Sequence, residues 1–214
     1  MSDEKKKFLS SIIIPLGFIL LLWLIQIAQV IININFISFG LYPRKVYGLI
    51  GIITAPLIHA GFGHLFSNTL PLLFLSVGIL YFYPNSAIKV FTSVYFISGI
   101  FVWLFARSAY HIGASGLVYG FVSFLFFSGV IRRDTRSIAL ALIVTFLYGS
   151  IIWGIIPQNN GISWEYHLFG SLVGISCAFI FRNSDPYKKY EWEDEPDDDD
   201  SKPLEISHRK DSDF

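Results

Sequence analysis

The chain has 214 residues, 53% hydrophobic and 17% aromatic against 15% charged, a balance that excludes an ordinary water-soluble domain and indicates a membrane protein. Its 16 Lys and Arg offset its 16 Asp and Glu, so no net basic charge points to nucleic acid. The single Cys177 sits in an apolar run and can form no internal disulfide.

Crossing a hydrocarbon core of about 30 Å takes roughly 20 helical residues. Six runs approach that length: Phe8 to Ile34, Leu65 to Tyr83, Ile88 to Phe105, Ile112 to Ile131, Ile138 to Ile156 and the shorter Tyr166 to Phe181. The first follows Lys5, Lys6 and Lys7, like a signal peptide, but it is too long and lacks a small-residue cleavage site, so a retained helix is expected. Residues 35–64, NFISFGLYPRKVYGLIGIITAPLIHAGFGH, are longer than a turn and too apolar for a solvated linker; they are expected to lie in the membrane interface. The expected fold class is an all-α membrane protein, a six-helix bundle with an interfacial loop between helices one and two. Residues 1–181 form that membrane core. Residues 182–214, which include DDDD at 197–200, read as a disordered acidic tail because their charge and scarcity of aliphatics cannot support a packed core.

Orientation follows from basic residues beside the runs. With the N-terminus inside, the inner side holds Lys5, Lys6, Lys7, Lys89, Arg132, Arg133, Arg136, Arg182, Lys188 and Lys189, and the outer side Arg44, Lys45 and Arg107. The excess predicts cytoplasmic termini. Runs two, four and six then start on the outer side.

Asp and Glu are nearly absent from the runs. Ion-driven transporters keep carboxylates in the membrane despite a cost of at least about 2.5–3.5 kcal/mol, so a transporter is disfavoured. The polar residues that remain are His64 and Asn68 opening run two, Ser115 opening run four and His167 opening run six. Four-residue spacing puts His64 with Asn68 on one helix face and Ser115 with Tyr119 on another, while His167 shares its face with Gly170 and Gly174. The pairs Gly116/Gly120 and Gly170/Gly174 allow close backbone approach. Runs four and six can then bring Ser115 to His167, where a neutral imidazole serves as general base for a serine nucleophile. Helix-start N–H groups, the Asn68 amide and the His64 ring are candidate oxyanion donors. Gly113 and Gly116 keep the approach to the serine open, and Tyr119 is placed to stack on the imidazole. No Asp is positioned to orient His167, so a dyad is expected rather than a triad.

Each of these residues alone also reads blandly: Ser115 as a packing serine, His167 as a buried histidine, His64 and Asn68 as helix caps. His59 and His111 read as structural, since nothing at metal-ligand spacing joins them, and the chain has no HExxH motif. No metal or cofactor is expected.

Together, GASG at 113–116 with Tyr119, HLFSN at 64–68 and HLFGSLVG at 167–174 resemble the motifs of the rhomboid intramembrane serine proteases. The resemblance spans about residues 8–181. It implies Ser115 as nucleophile, His167 as base, and His64, Asn68 and the Ser115 N–H as the oxyanion hole, with His59 supporting the loop. It further implies single-span transmembrane proteins as substrates, the lipid bilayer as surroundings, and a bacterial-type inner membrane as location. Many members carry a Trp-Arg pair in the first loop; here the nearest basic pair follows a proline in LYPRK. The alternative function is an inactive rhomboid-like protein that binds membrane clients for quality control or trafficking.

Overall fold

A computed structural model describes residues 3–157 and 161–187. Its α-helices are α1 (Asp3–Ile32), α2 (Gly51–Thr54), α3 (Phe62–Phe82), α4 (Pro84–Phe105), α5 (Ser115–Arg132), α6 (Thr135–Tyr148) and α7 (Trp164–Ile180). Among the described residues no strand occurs; one isolated antiparallel bridge joins Leu41 and His111. The expected acidic tail lies, beyond residue 187, outside the described residues.

Helix starts follow local chemistry. Pro84 opens α4, where its missing N–H and fixed φ suit the first turn. Asp134 caps α6 by accepting from the Ser137 backbone N–H, and Ser163 caps α7 by accepting from Tyr166 N–H, each satisfying an amide that has no intrahelical partner. Arg133 ends α5 in the left-handed region at φ 57°. The alternative reading of His64 and Asn68 as caps of α3 does not hold: Gly61 is the residue at the cap, with no side-chain cap bond among the described residues.

Large apolar side chains such as Phe146, Leu142, Ile13 and Ile180 are exposed around the perimeter. On a bundle of this composition that surface is matched to lipid rather than water. Among the described residues, five helical segments are long and apolar enough to cross a membrane: Glu4–Ile32, Phe62–Phe82, Pro84–Phe105, Ser115–Arg132 and Thr135–Ile155. The sixth expected run is realised as α7, whose 17 residues extend about 26 Å at 1.5 Å per residue, short of a full hydrocarbon core.

Helix α5 is the centre of the bundle. It is the most buried of the five long segments, and it packs against α7, α6, α3 and α4. Apart from Arg132 in its last turn, its residues are apolar, aromatic or small on every face, as expected of a helix with neighbours all round. α1 leans on α3 at one side and α6 on α5 at the other. The long first loop is folded into short 3-10 turns at Phe36–Phe39, Val46–Ile50 and Ala55–Leu57 around α2. Arg44 anchors it: its Nη1 donates to Ala106 O at 2.7 Å and its Nη2 to Ser108 Oγ at 3.2 Å, while Trp103 Nε1 donates to Lys45 O at 3.0 Å.

Candidate active site

The segment leading into α5 is held by the first loop at His111, Gly113 and Ala114. His111 and Leu41 exchange backbone hydrogen bonds, Gly113 N donates to Ala55 O at 2.9 Å, and Ala114 N donates to His59 Nε2 at 3.4 Å. His59 is almost fully buried. Burial, and secondarily the facing His64, push its pKa down to about 4, so the ring is neutral at pH 7 and its Nε2 is free to accept. Gly113 has φ +107°, and a Cβ there would lie 2.7 Å from His64 Cε1 and 2.9 Å from His64 Nε2. Both the backbone angle and the contact require glycine, and the His64 ring therefore lies directly against the turn that presents Ser115.

Ser115 is the first residue of α5, so its N–H is among those without an intrahelical acceptor. His167 is in the first turn of α7 and buried. Its Nε2 is 2.8 Å from Ser115 Oγ and its Nδ1 is 2.9 Å from Gly154 O. A carbonyl can only accept, so the proton sits on Nδ1, and Nε2 keeps the lone pair that accepts the serine hydroxyl. That is the tautomer a general base requires. The Tyr119 ring stacks on the imidazole at 4.0 Å between centroids and 5° between planes, and its hydroxyl donates to Ile151 O at 2.7 Å. Ring and carbonyl together fix the orientation that an aspartate fixes in a triad.

The approach of α7 to α5 rests on glycines. A Cβ on Gly170 would overlap the Gly116 carbonyl oxygen, one on Gly174 the Gly120 carbonyl oxygen, and one on Gly116 would lie 2.7 Å from Tyr166 Cδ1. Backbone meets backbone along this seam, as small-xxx-small pairs permit. Asn68 is buried on the same helix as His64 and donates from Nδ2 to His64 O at 3.0 Å. The Asn68 amide retains a second N–H. His64 Nδ1 accepts a long hydrogen bond from Ala60 N at 3.5 Å, which leaves Nε2 to carry the ring proton.

The structure thus brings Ser115, His167, Tyr119, Gly113 and Gly116 into one cluster, with His64 against Gly113 and Asn68 one turn below His64. Gly154 and Ile151 were not singled out in the sequence, because a backbone carbonyl has no side-chain signature. Glu165 was also missed, although it stands two residues before His167 in SWEYH; it is 2% exposed. Among the described residues, no group of three or more His, Cys, Asp or Glu is placed to hold a metal ion.

Residues 46–184 match the family model described as the Rhomboid domain. The chain is 35% identical over 179 residues, 77% of its length, to uncharacterized proteins of Mycobacterium tuberculosis and Mycobacterium bovis, covering 72% of each. It is 32% identical over 174 residues to an uncharacterized protein of Mycobacterium leprae, covering 69% of that relative. The matched region runs from the first loop to the residues just beyond α7 and contains every residue of the Ser115–His167 cluster; the chain is a multi-pass integral membrane protein and belongs to the rhomboid family.

Proposed function

We propose that this protein is an intramembrane serine endopeptidase that cleaves transmembrane segments of other membrane proteins with a Ser115–His167 dyad. The observation that carries the reading is the 2.8 Å hydrogen bond between Ser115 Oγ and His167 Nε2, made by an imidazole whose proton is held on Nδ1 by Gly154 O. In the reaction, Ser115 Oγ attacks the scissile carbonyl carbon while its proton passes to His167 Nε2. The resulting imidazolium is stabilised by Gly154 O at Nδ1–H and by the Tyr119 ring face. The oxyanion accepts hydrogen bonds from Ser115 N–H, from Nε2–H of His64 and from the second N–H of Asn68, donors already oriented before charge develops. His167 then gives its proton to the leaving amine, the C–N bond breaks, and water hydrolyses the acyl-enzyme using the same base.

The starts of α3, α5 and α7 lie at the outer face in this reading, with both termini cytoplasmic in a bacterial-type inner membrane, supported by the excess of Lys and Arg beside the opposite helix ends. Substrates are single-span membrane proteins that enter sideways from the lipid bilayer, and no metal, cofactor or nucleic acid takes part. The test is cleavage of a model single-span substrate by purified protein in detergent. Wild type should cleave and Ser115→Ala should not; cleavage retained in Ser115→Ala would sink the mechanism. A natively folded wild type that never cleaves would hand the case to client binding.

A further inference from the structure

A second polar cluster lies beside the dyad. Glu165 is buried, yet its carboxylate is matched by few donors. Oε1 accepts from Arg107 N at 3.4 Å and lies 3.5 Å from Arg107 Nη1. Among the described residues Oε2 accepts no hydrogen bond, and it stands 3.9 Å from His111 Nδ1. Arg107 continues across the gap, with Nη2 donating to Ile162 O at 2.8 Å. His111, also buried, has Nε2 3.1 Å from Arg107 O and Nδ1 2.7 Å from Ser163 Oγ. Because the Arg107 carbonyl can only accept, Nε2 carries the proton and Nδ1 accepts the Ser163 hydroxyl. Burial holds the His111 pKa below its ordinary value, against the opposing pull of Glu165, in keeping with this neutral form. Ser163 Oγ in turn caps α7 by accepting from Tyr166 N.

These contacts close a ring between two segments distant in sequence. One, residues 107–111, ends four residues before Ser115. The other, residues 162–165, ends two residues before His167. The glycine seam sets the spacing of α5 and α7 from Gly116 inward, and this ring joins the segments that lead into the two helices. A buried carboxylate is costly to place, and this one stands where two segments distant in sequence meet. We propose that Glu165 acting through Arg107, with His111 joining the same two segments through Ser163, is a positioning group: it fastens the turn that presents Ser115 to the first turn of α7 and so holds Ser115 Oγ at hydrogen-bond distance from His167 Nε2. This rests on the protease reading given above. Glu165 does not touch the reacting atoms.

The experiment uses full-length protein in detergent, comparing wild type with Glu165→Gln, Arg107→Gln, the double variant and Arg107→Lys, below each melting temperature. Arg107 is partly exposed, so its variants keep the test interpretable if Glu165→Gln folds poorly. Fluorophosphonate labelling and kcat should fall about tenfold or more in each Gln variant, since misplacement by 1 Å costs roughly 10²-fold, with KM within about twofold. The double variant should lose no more than the worse single one, and Arg107→Lys should recover most of the rate. Hydrogen exchange should quicken at residues 107–117 in Glu165→Gln, although the substitution is on another helix. Unchanged rates with unchanged exchange, or losses that simply multiply, overturn the proposal. If wild type itself neither labels nor cleaves, the protease reading fails separately. Exchange then decides for the clamp: faster exchange at 107–117 supports it and unchanged exchange refutes it.

Discussion

Replacing Gly170 by alanine tests whether the contact of α7 with α5 governs catalysis. The added methyl would lie 3.0 Å from the Gly116 carbonyl carbon, 3.2 Å from its Cα and closer still to its oxygen. Carbon atoms rest at about 3.5–4.0 Å, and the obstruction is backbone, so the helices must part by about 0.5–1 Å at this level. Gly170 is one turn from His167, and the displacement reaches the dyad almost undiminished. The 2.8 Å Ser115–His167 bond would lengthen past the hydrogen-bond limit of about 3.2 Å. A misplacement of 1 Å costs roughly 10²-fold in rate, about 2.7 kcal/mol in the barrier, whereas overpacking typically costs about 1–3 kcal/mol in stability. Gly174→Ala is the control: its methyl would lie 2.8 Å from the Gly120 carbonyl carbon, but two turns from His167, where tilting absorbs the shift. Cleavage of a model substrate and thermal melting in detergent should show similar destabilisation in both variants and a much larger loss of kcat in Gly170→Ala. Full activity in Gly170→Ala, or a greater kcat loss in Gly174→Ala, would show that this contact does not set the Ser115–His167 distance.

Gly154→Ala should slow labelling by a fluorophosphonate at least about tenfold, because its Cβ would lie 3.2 Å from His167 Nδ1, 3.0 Å from Tyr119 Cζ and nearer still to the Tyr119 hydroxyl; adding Tyr119→Phe, which removes that hydroxyl, should restore part of the rate. Asn68→Ala should lower kcat by about 10²–10³-fold, the usual loss for one oxyanion donor, with KM nearly unchanged; equal kcat would remove Asn68 from the oxyanion hole. His59 sets a pH dependence of stability. Its folded pKa, about 4, lies below the ordinary value of about 6.5, so the unfolded chain takes up the proton first as pH falls. The stability His59 contributes is complete above about pH 6.5 and is lost as pH falls toward 4. Melting temperature should drop across that window in wild type and less steeply in His59→Gln; parallel curves would contradict the assignment.

Side-chain chemistry made much of the site legible in the sequence. Ser115, His167 and Tyr119 could be read as partners because four-residue spacing and paired glycines predict which helix faces meet, and the seam at Gly116/Gly170 and Gly120/Gly174 is that meeting. What orients His167 was not legible. Its partner is the Gly154 carbonyl, from a stretch read as the end of the fifth run; the chain there tightens into a 3-10 turn over Gly149–Ile155, which turns backbone acceptors toward α5 and α7 without any pattern in residue type. Glu165 escaped notice because it stands just outside the sixth run, where a carboxylate reads as a surface group; its burial arises from the packing of the 107–111 turn over the start of α7. The first loop resisted for a similar reason. Arg44 could be seen to follow a proline, but its reach to Ala106 and Ser108 is a long-range contact with no local signature. The sixth run is the shortest in the sequence, and it is α7, at 17 residues.

Mass spectrometry of the protein after reaction with a fluorophosphonate tests the dyad most directly, since the reagent reports an activated serine without needing a substrate. Wild type should carry a single adduct on Ser115, and His167→Ala, which leaves the serine in place and removes its base, should carry none. An adduct on a different residue, or Ser115 labelled in His167→Ala at the wild-type rate, would contradict it.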